Sequence, residues 1–206
     1  MTTPPKRRWF QFSLRTVLVV MTLFCIGPGG YVAYEQNKAR REMAAVEVIE
    51  KLGGSVSYDP ITPVRSATMR QILGDESFGD VSEVWLGDTQ VTDAGLVHLA
   101  DLTNLDTVVL YNTKVTNAGL VHLDGLQRLA FLALNNTQVT DAGLVHVAEL
   151  KNLSFLALED TQVTDAGLVH LTNLTKLETL WLNDTQVTDA GIAELQKALP
   201  GCAIDW

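Results

Sequence analysis

An α/β solenoid is predicted, with a parallel β-sheet on its concave face and helices on its convex face. Three observations predict it. The decapeptide Thr-Gln-Val-Thr-Asp-Ala-Gly-Leu-Val-His begins at Thr89 and recurs unchanged at Thr137 and Thr161. Thr-Asp-Ala-Gly-Leu or a close variant starts at positions 92, 116, 140, 164 and 188, a constant step of 24 residues. Within a unit, Leu126, Leu129, Leu132, Leu134 and Val139 fall at the spacing of an inward-facing strand and its return loop. One such unit cannot bury its apolar side alone, so neighbours of nearly the same shape must cover it.

The chain opens on a basic tail, 1–15, with Lys6, Arg7, Arg8 and Arg15 and no acid. An uncharged run succeeds it at 16–34. Nineteen residues are just enough to cross a bilayer as a helix, and Trp9, Phe10, Tyr31 and Tyr34 bracket the run as interfacial aromatics do. This segment reads as a transmembrane signal-anchor. The competing reading is a cleaved secretory signal, since Val17 to Ile26 is a short dense apolar core and Gly27-Pro28-Gly29-Gly30 interrupts the run beyond it. A cytosolic apolar tail is the third. Four Lys/Arg precede the run, against Lys38, Arg40 and Arg41 after it. That bias places the repeats outside the cytoplasm on a single-pass membrane protein, or in a secreted or periplasmic one if the segment is cleaved. The stretch Phe-Ser-Leu-Arg-Thr-Val-Leu-Val-Val, starting at Phe12, resembles leader segments that recur in proteins of planctomycete bacteria.

Residues 35–77 are expected to form a juxtamembrane helix and an N-terminal cap. The stretch 35–52 is charged and Ala-rich, with Met43, Val46 and Ile49 three apart, and Gly53-Gly54 ends it. Ser55–Tyr58 reads as a short strand, Asp59-Pro60 as a turn and 66–73 as a second helix. Together these would cover the open first coil.

Five 24-residue units fill 78–197, and 198–206 closes the stack as a partial sixth, with Ile204 falling 24 after Leu180. The Thr before the helix, as at Thr140, is placed to cap it, and Asp141 sits at the positive helix end. Gly143 leaves room for close stacking, and Thr89, Thr113, Thr137, Thr161 and Thr185 form a column of hydroxyls able to satisfy loop backbone groups. The pattern from Leu126 to Val139 resembles the leucine-rich-repeat family over about 120 residues. It is similar to the subclass with Thr-Asp-x-Gly-Leu helical sides, the cysteine-containing type, although no repeat here carries that cysteine. The resemblance implies a right-handed leucine-rich-repeat solenoid, here preceded by an N-terminal transmembrane helix, and a family role in binding other proteins rather than in catalysis.

Composition narrows the function further. The net charge of −9 is made of +4 over 1–34, zero over 35–53 and therefore −13 over the remainder. So acidic a body repels phosphate backbones and argues against nucleic-acid binding. The two cysteines, Cys25 and Cys202, imply no disulfide framework. All four histidines, His98, His122, His146 and His170, occupy one repeat slot, two residues after a core Leu. That separation, about 200° on a helix, turns them outward on the convex side, where they cannot converge on one zinc ion. No Ser-His-Asp set stands apart from the repeat, and no phosphate or dinucleotide loop is present. No enzyme activity, cofactor, metal or small-molecule substrate is expected.

Function is therefore sought where units differ, at the outward strand positions. The first such column reads Glu83, Thr107, Phe131, Phe155, Thr179, and the second Trp85, Val109, Ala133, Ala157, Trp181. The third reads Gly87, Tyr111, Asn135, Glu159, Asn183, and the fourth Asp88, Asn112, Asn136, Asp160, Asp184. At about 4.8 Å per strand, the two Trp stand roughly 19 Å apart over a floor of Val and Ala. Phe131 and Phe155 would wall one side and Asn135 and Glu159 edge the other. The partner-binding candidates are Trp85, Val109, Tyr111, Phe131, Ala133, Asn135, Phe155, Ala157, Glu159, Trp181 and Asn183. A groove for a protein or peptide is expected; the alternative is a structural spacer or self-associating scaffold.

Overall fold

The computed structural model describes residues 33–34, 36–59 and 80–206. The chain divides into two units, Met1–Arg40 and Arg41–Trp206. Residues 33–34 and 36–40 of the first are helical. The expected basic tail, nearly all of the expected membrane span and the expected helix at 66–73 lie outside the described residues. Among the described residues, no helix is long and apolar enough to cross a membrane.

In the second unit residues 41–51 are helical. Gly53 stops this helix: its φ of 86° is open to glycine at little cost, and the amides of Gly53 and Gly54 turn back onto the carbonyls of Glu50 and Ile49 at 3.0 Å each. The buried face is set by Ala45 and Ile49, one turn apart, with Val46 and Leu52 beside them. Met43, expected on that face, is exposed, because two residues on a helix stand about 200° apart and Ala45 takes the inward direction. Arg41 pairs with Asp101 of the first coil at 3.3 Å.

One seven-stranded sheet runs in chain order: β1 (Ser55–Tyr58), β2 (Val81–Trp85), β3 (Thr107–Val109), β4 (Phe131–Ala133), β5 (Phe155–Ala157), β6 (Thr179–Trp181) and β7 (Ala203–Asp205). The strand β1 lies antiparallel on β2, and every later pair is parallel. Equivalent residues align 24 apart, as Leu132 with Leu156 and Leu180 with Ile204, the last pair in the C-terminal strand β7. Inward residues of all coils, Leu132, Leu134, Val139, Leu144 and Val147 among them, join one continuous core. Helical sides occur at Asp93–Leu96, Asn117–Leu120, Asp141–Val147, Asp165–Leu171 and Asp189–Ala198; in the first two coils a 3-10 turn, Val97–Asp101 or Val121–Leu123, continues the element.

The polar frame differs in part from the sequence expectation. The threonine column does satisfy backbone: each hydroxyl donates to the Leu carbonyl three residues earlier, as Thr137 to Leu134 at 2.6 Å. The pre-helix threonines cap only in part. Thr116, Thr164 and Thr188 accept a helix N–H, but Thr92 and Thr140 do not. The reason at Thr140 is visible, since its hydroxyl oxygen accepts instead from Asn117 Nδ2 at 2.8 Å.

The aspartates do more than sit at a helix end. Asp93 accepts the Thr116 N–H at 2.8 Å and the Thr116 hydroxyl at 2.7 Å, one coil ahead. Asp141 holds Thr164, and Asp165 holds Thr188, with the same two distances. The N–H and then the hydroxyl of Thr188 keep the Asp165 carboxyl below the usual carboxylate range. These clasps also account for the repeat glycines. A Cβ on Gly119 would stand 2.5 Å from Asp93 Oδ1, and one on Gly143 2.6 Å from Asn117 Oδ1. At the last coil Asp189 receives the indole N–H of Trp206 at 3.2 Å.

Candidate functional site

The hollow on the concave face is built by three successive outward positions of the parallel strands and the turn after them. In the middle coils the second column is small, and Val109, Ala133 and Ala157 form an apolar cluster of their own, separate from the main core. They are buried, not an open floor, because the rings of Phe131 and Phe155 pack on them. Those two rings stack face to face, with centroids 4.3 Å apart and planes within 2°. Trp181 meets Phe155 edge-on at 4.8 Å and 81°, the geometry that places a ring's positive edge on a negative face. Trp85 closes the opposite end, its indole N–H donating to Glu83 at 3.0 Å. Tyr111 lies over Gly87, where any side chain would collide with its ring.

These residues enclose a hollow of about 570 Å³. Of the eleven candidates, nine line it: Trp85, Val109, Tyr111, Phe131, Ala133, Asn135, Phe155, Ala157 and Trp181. Glu159 and Asn183 do not line it. Glu159 accepts from the Asn135 amide. Burial first, then the neighbouring Asp205 and Asp160 carboxylates, push its carboxyl above the usual range, and the Asn135 hydrogen bond opposes them. Asn183 has its Oδ1 buried with no hydrogen-bond partner.

Asp88, Asn112 and Asn136 also line the hollow, from the fourth column. That column varies for a structural reason. Asp88, Asn112, Asn136, Asp160 and Asp184 all have positive φ, between 50° and 59°. Asp and Asn tolerate this left-handed turn better than other non-glycine residues. Asn112 donates to Asp88 at 2.6 Å and Asn136 to Asn112 at 2.9 Å, so the turn residues form a short amide ladder along the rim. The Asx-only composition of the column was the available signal for both roles.

On the convex side the histidines are half-buried rather than fully turned out. The exposed stripe is the preceding valine column, Val97, Val121, Val145 and Val169, at 46%, 45%, 47% and 65% exposure. Counting from Leu96 alone misplaces the outward direction. The buried face is shared by Leu96 and Leu99, so the outermost line runs between Val97 and His98 and leaves the histidines off the most exposed line. His146 Nδ1 lies 3.0 Å from Asp124 of the coil before it. Among the described residues no cluster of His, Cys, Asp or Glu could hold a metal ion. Cys202 is a free, buried thiol whose ionisation burial pushes up.

A sheet of parallel strands in strict 24-residue register, with a helical return and a Leu-lined core, is the leucine-rich-repeat solenoid. Solved structures share it. The leucine-rich-repeat ectodomain of the receptor kinase SOBIR1 from Arabidopsis thaliana matches 80% of this chain and 90% of its own, with a TM-score of 0.52 and 18% identity. An internalin, inlF, from Listeria monocytogenes matches 60% of this chain with a TM-score of 0.52 and 23% identity. The match spans 34% of that internalin's own length. At these identities the likeness concerns the fold. No family model and no curated protein matches the sequence.

Proposed function

We propose that this chain is a membrane-tethered binding module that holds a protein or peptide in its concave hollow, with no catalytic step. The observation that carries the reading is the row of aromatic side chains left facing solvent on a sheet: Trp85, Tyr111 and Trp181 are 45%, 40% and 39% exposed around the Phe131–Phe155 stack. Exposed aromatic surface gathered in one concavity is what interfaces bury, and Trp and Tyr dominate the energetics of such contacts. The groove is also supported from below, since the rings rest on a packed apolar layer and need not reorganise to accept a ligand.

The test uses the full chain in detergent micelles and selects binders from a displayed library of random twelve-residue peptides. Phe131→Ser with Trp181→Ser is expected to abolish binding of the selected peptides while the circular dichroism spectrum is retained, because neither side chain belongs to the main core. Peptides held equally well by the double variant would refute a concave site.

The tether is proposed to be the run 16–34, with the repeats outside the cytoplasm; the sequence of that run and the flanking Lys/Arg bias support it. Protease added to intact cells is expected to remove the repeat domain and spare a membrane-held fragment. Full protection until the membrane is lysed would reverse the orientation.

A further inference from the structure

The concave face is chemically lopsided along the stack, with the carboxylates of its far end standing beyond the lining of the hollow itself. At the β2 end the carboxylates are occupied: Glu83 accepts from Trp85 and Asp88 from Asn112. At the β6–β7 end acceptors outnumber donors. Asp205 succeeds Trp181 in strand register, extending the second column beyond the Trp with a carboxylate. Asp160 and Asp184 occupy the rim turns there, and the amide of Asp160 donates to the carbonyl of Asn183 at 3.0 Å, which ties that rim to Asn183. With Glu159 these make four carboxylates, of which, among the described residues, only Glu159 receives a side-chain hydrogen bond. Among the described residues none of Glu159, Asp160, Asp184 and Asp205 is ion-paired. Asn183, at the same end, adds a buried oxygen without a donor.

Resting on the groove reading above, we infer that the occupant is a basic peptide: an apolar or aromatic side chain lies against Phe131, Phe155 and Trp181, and an adjacent arginine faces Glu159, Asp184 and Asp205. The chemistry selects a cation with several donors. A guanidinium offers five N–H groups in a plane, matches carboxylates two at a time and stacks on an indole face such as that of exposed Trp181. Burial first, and then the neighbouring carboxylates, push the Glu159 carboxyl upward, and a bound cation would offset the carboxylates' share. The strongly acidic body adds a field of the same sign, which speeds the arrival of a basic partner.

The same peptide selection on the full chain in micelles decides the matter, with two added arms. Selected peptides are expected to carry Arg or Lys next to an aromatic or aliphatic residue. Synthetic copies should bind Asp184→Asn with Asp205→Asn about tenfold more weakly, and replacing the peptide's basic residue by Ala should cost a similar factor, the two losses overlapping when combined. Asn is compatible with the left-handed turn at 184, since Asn112 and Asn136 adopt it. Should that variant fail to fold, the Ala-substituted peptides still decide. Peptides that need Phe131 and Trp181 but show no basic residue overturn this inference and leave the groove reading standing. Peptides indifferent to both aromatics overturn the two together. If no peptide is selected and the chain instead dimerises with concentration, an association lost on Phe131→Ser with Trp181→Ser, the face belongs to a second copy and the inference fails.

Discussion

Truncating Leu132 to alanine is expected to lower the unfolding free energy by about 2–5 kcal/mol, the range for a fully buried leucine whose surroundings cannot collapse. Leu132 is completely buried in the central strand β4, with its equivalents Val108 and Leu156 aligned on either side. Repetition makes collapse difficult there. The coils on both flanks are held at strand spacing by backbone hydrogen bonds, such as Leu110 N–H to the Ala133 carbonyl and Leu134 N–H to the Ala157 carbonyl, each at 2.9 Å. A void at Leu132 therefore stays a void. Because each coil contacts chiefly its neighbours, damage at the centre also weakens the coupling between the two halves of the stack. Urea unfolding tracked by tryptophan fluorescence reads the change, with Trp85 in β2 and Trp181 in β6 reporting on opposite ends. A loss below about 1 kcal/mol would mean that the neighbours repack into the hole.

The second large effect is expected at the clasp between coils. Asp141→Ala should destabilise the domain by about 1–3 kcal/mol, because the Thr164 N–H and hydroxyl both lose their acceptor at a half-buried join. Asp141→Asn should come close to the parent. The second coil already uses the amide: Asn117 Oδ1 accepts the Thr140 N–H at 2.9 Å, and its Nδ2 donates to the Thr140 hydroxyl, which reverses its role from donor to acceptor. Thermal unfolding of the two variants checks the pair. Equal losses for Ala and Asn would show that the carboxylate charge at the helix start, and not the hydrogen-bonding fork, is what matters.

The 24-residue step made the sheet order, the strand register and the inward residues readable from the sequence, because a repeat fixes which residues must superpose. Two kinds of feature escaped. The first is contact between coils. Asp141 looks like a helix-end charge when one unit is read alone, and its partner Thr164 appears only when units are stacked. The contact of His146 has the same origin, since it leans on Asp124 of another coil. The second is backbone conformation. The fourth column reads as a variable surface, yet positive φ at all five positions favours Asp and Asn over other non-glycine residues. For the concave face, the outward alternation of the strands was enough to gather nine of the eleven candidates around one hollow. What it could not give was ring geometry: that Phe131 and Phe155 stack over the small residues, so that the apolar surface on offer is aromatic rather than aliphatic.

The clasp has a consequence for how a chain of this kind can change over time. Every interior joint presents a carboxylate or amide on one side and a threonine on the other, and either acceptor serves. Duplication or loss of 24 codons at a unit boundary would leave each joint intact and shift no register. Span would then be inherited in whole modules of about 4.8 Å, so ligand length could be tuned by copy number, independently of the point substitutions that tune chemistry.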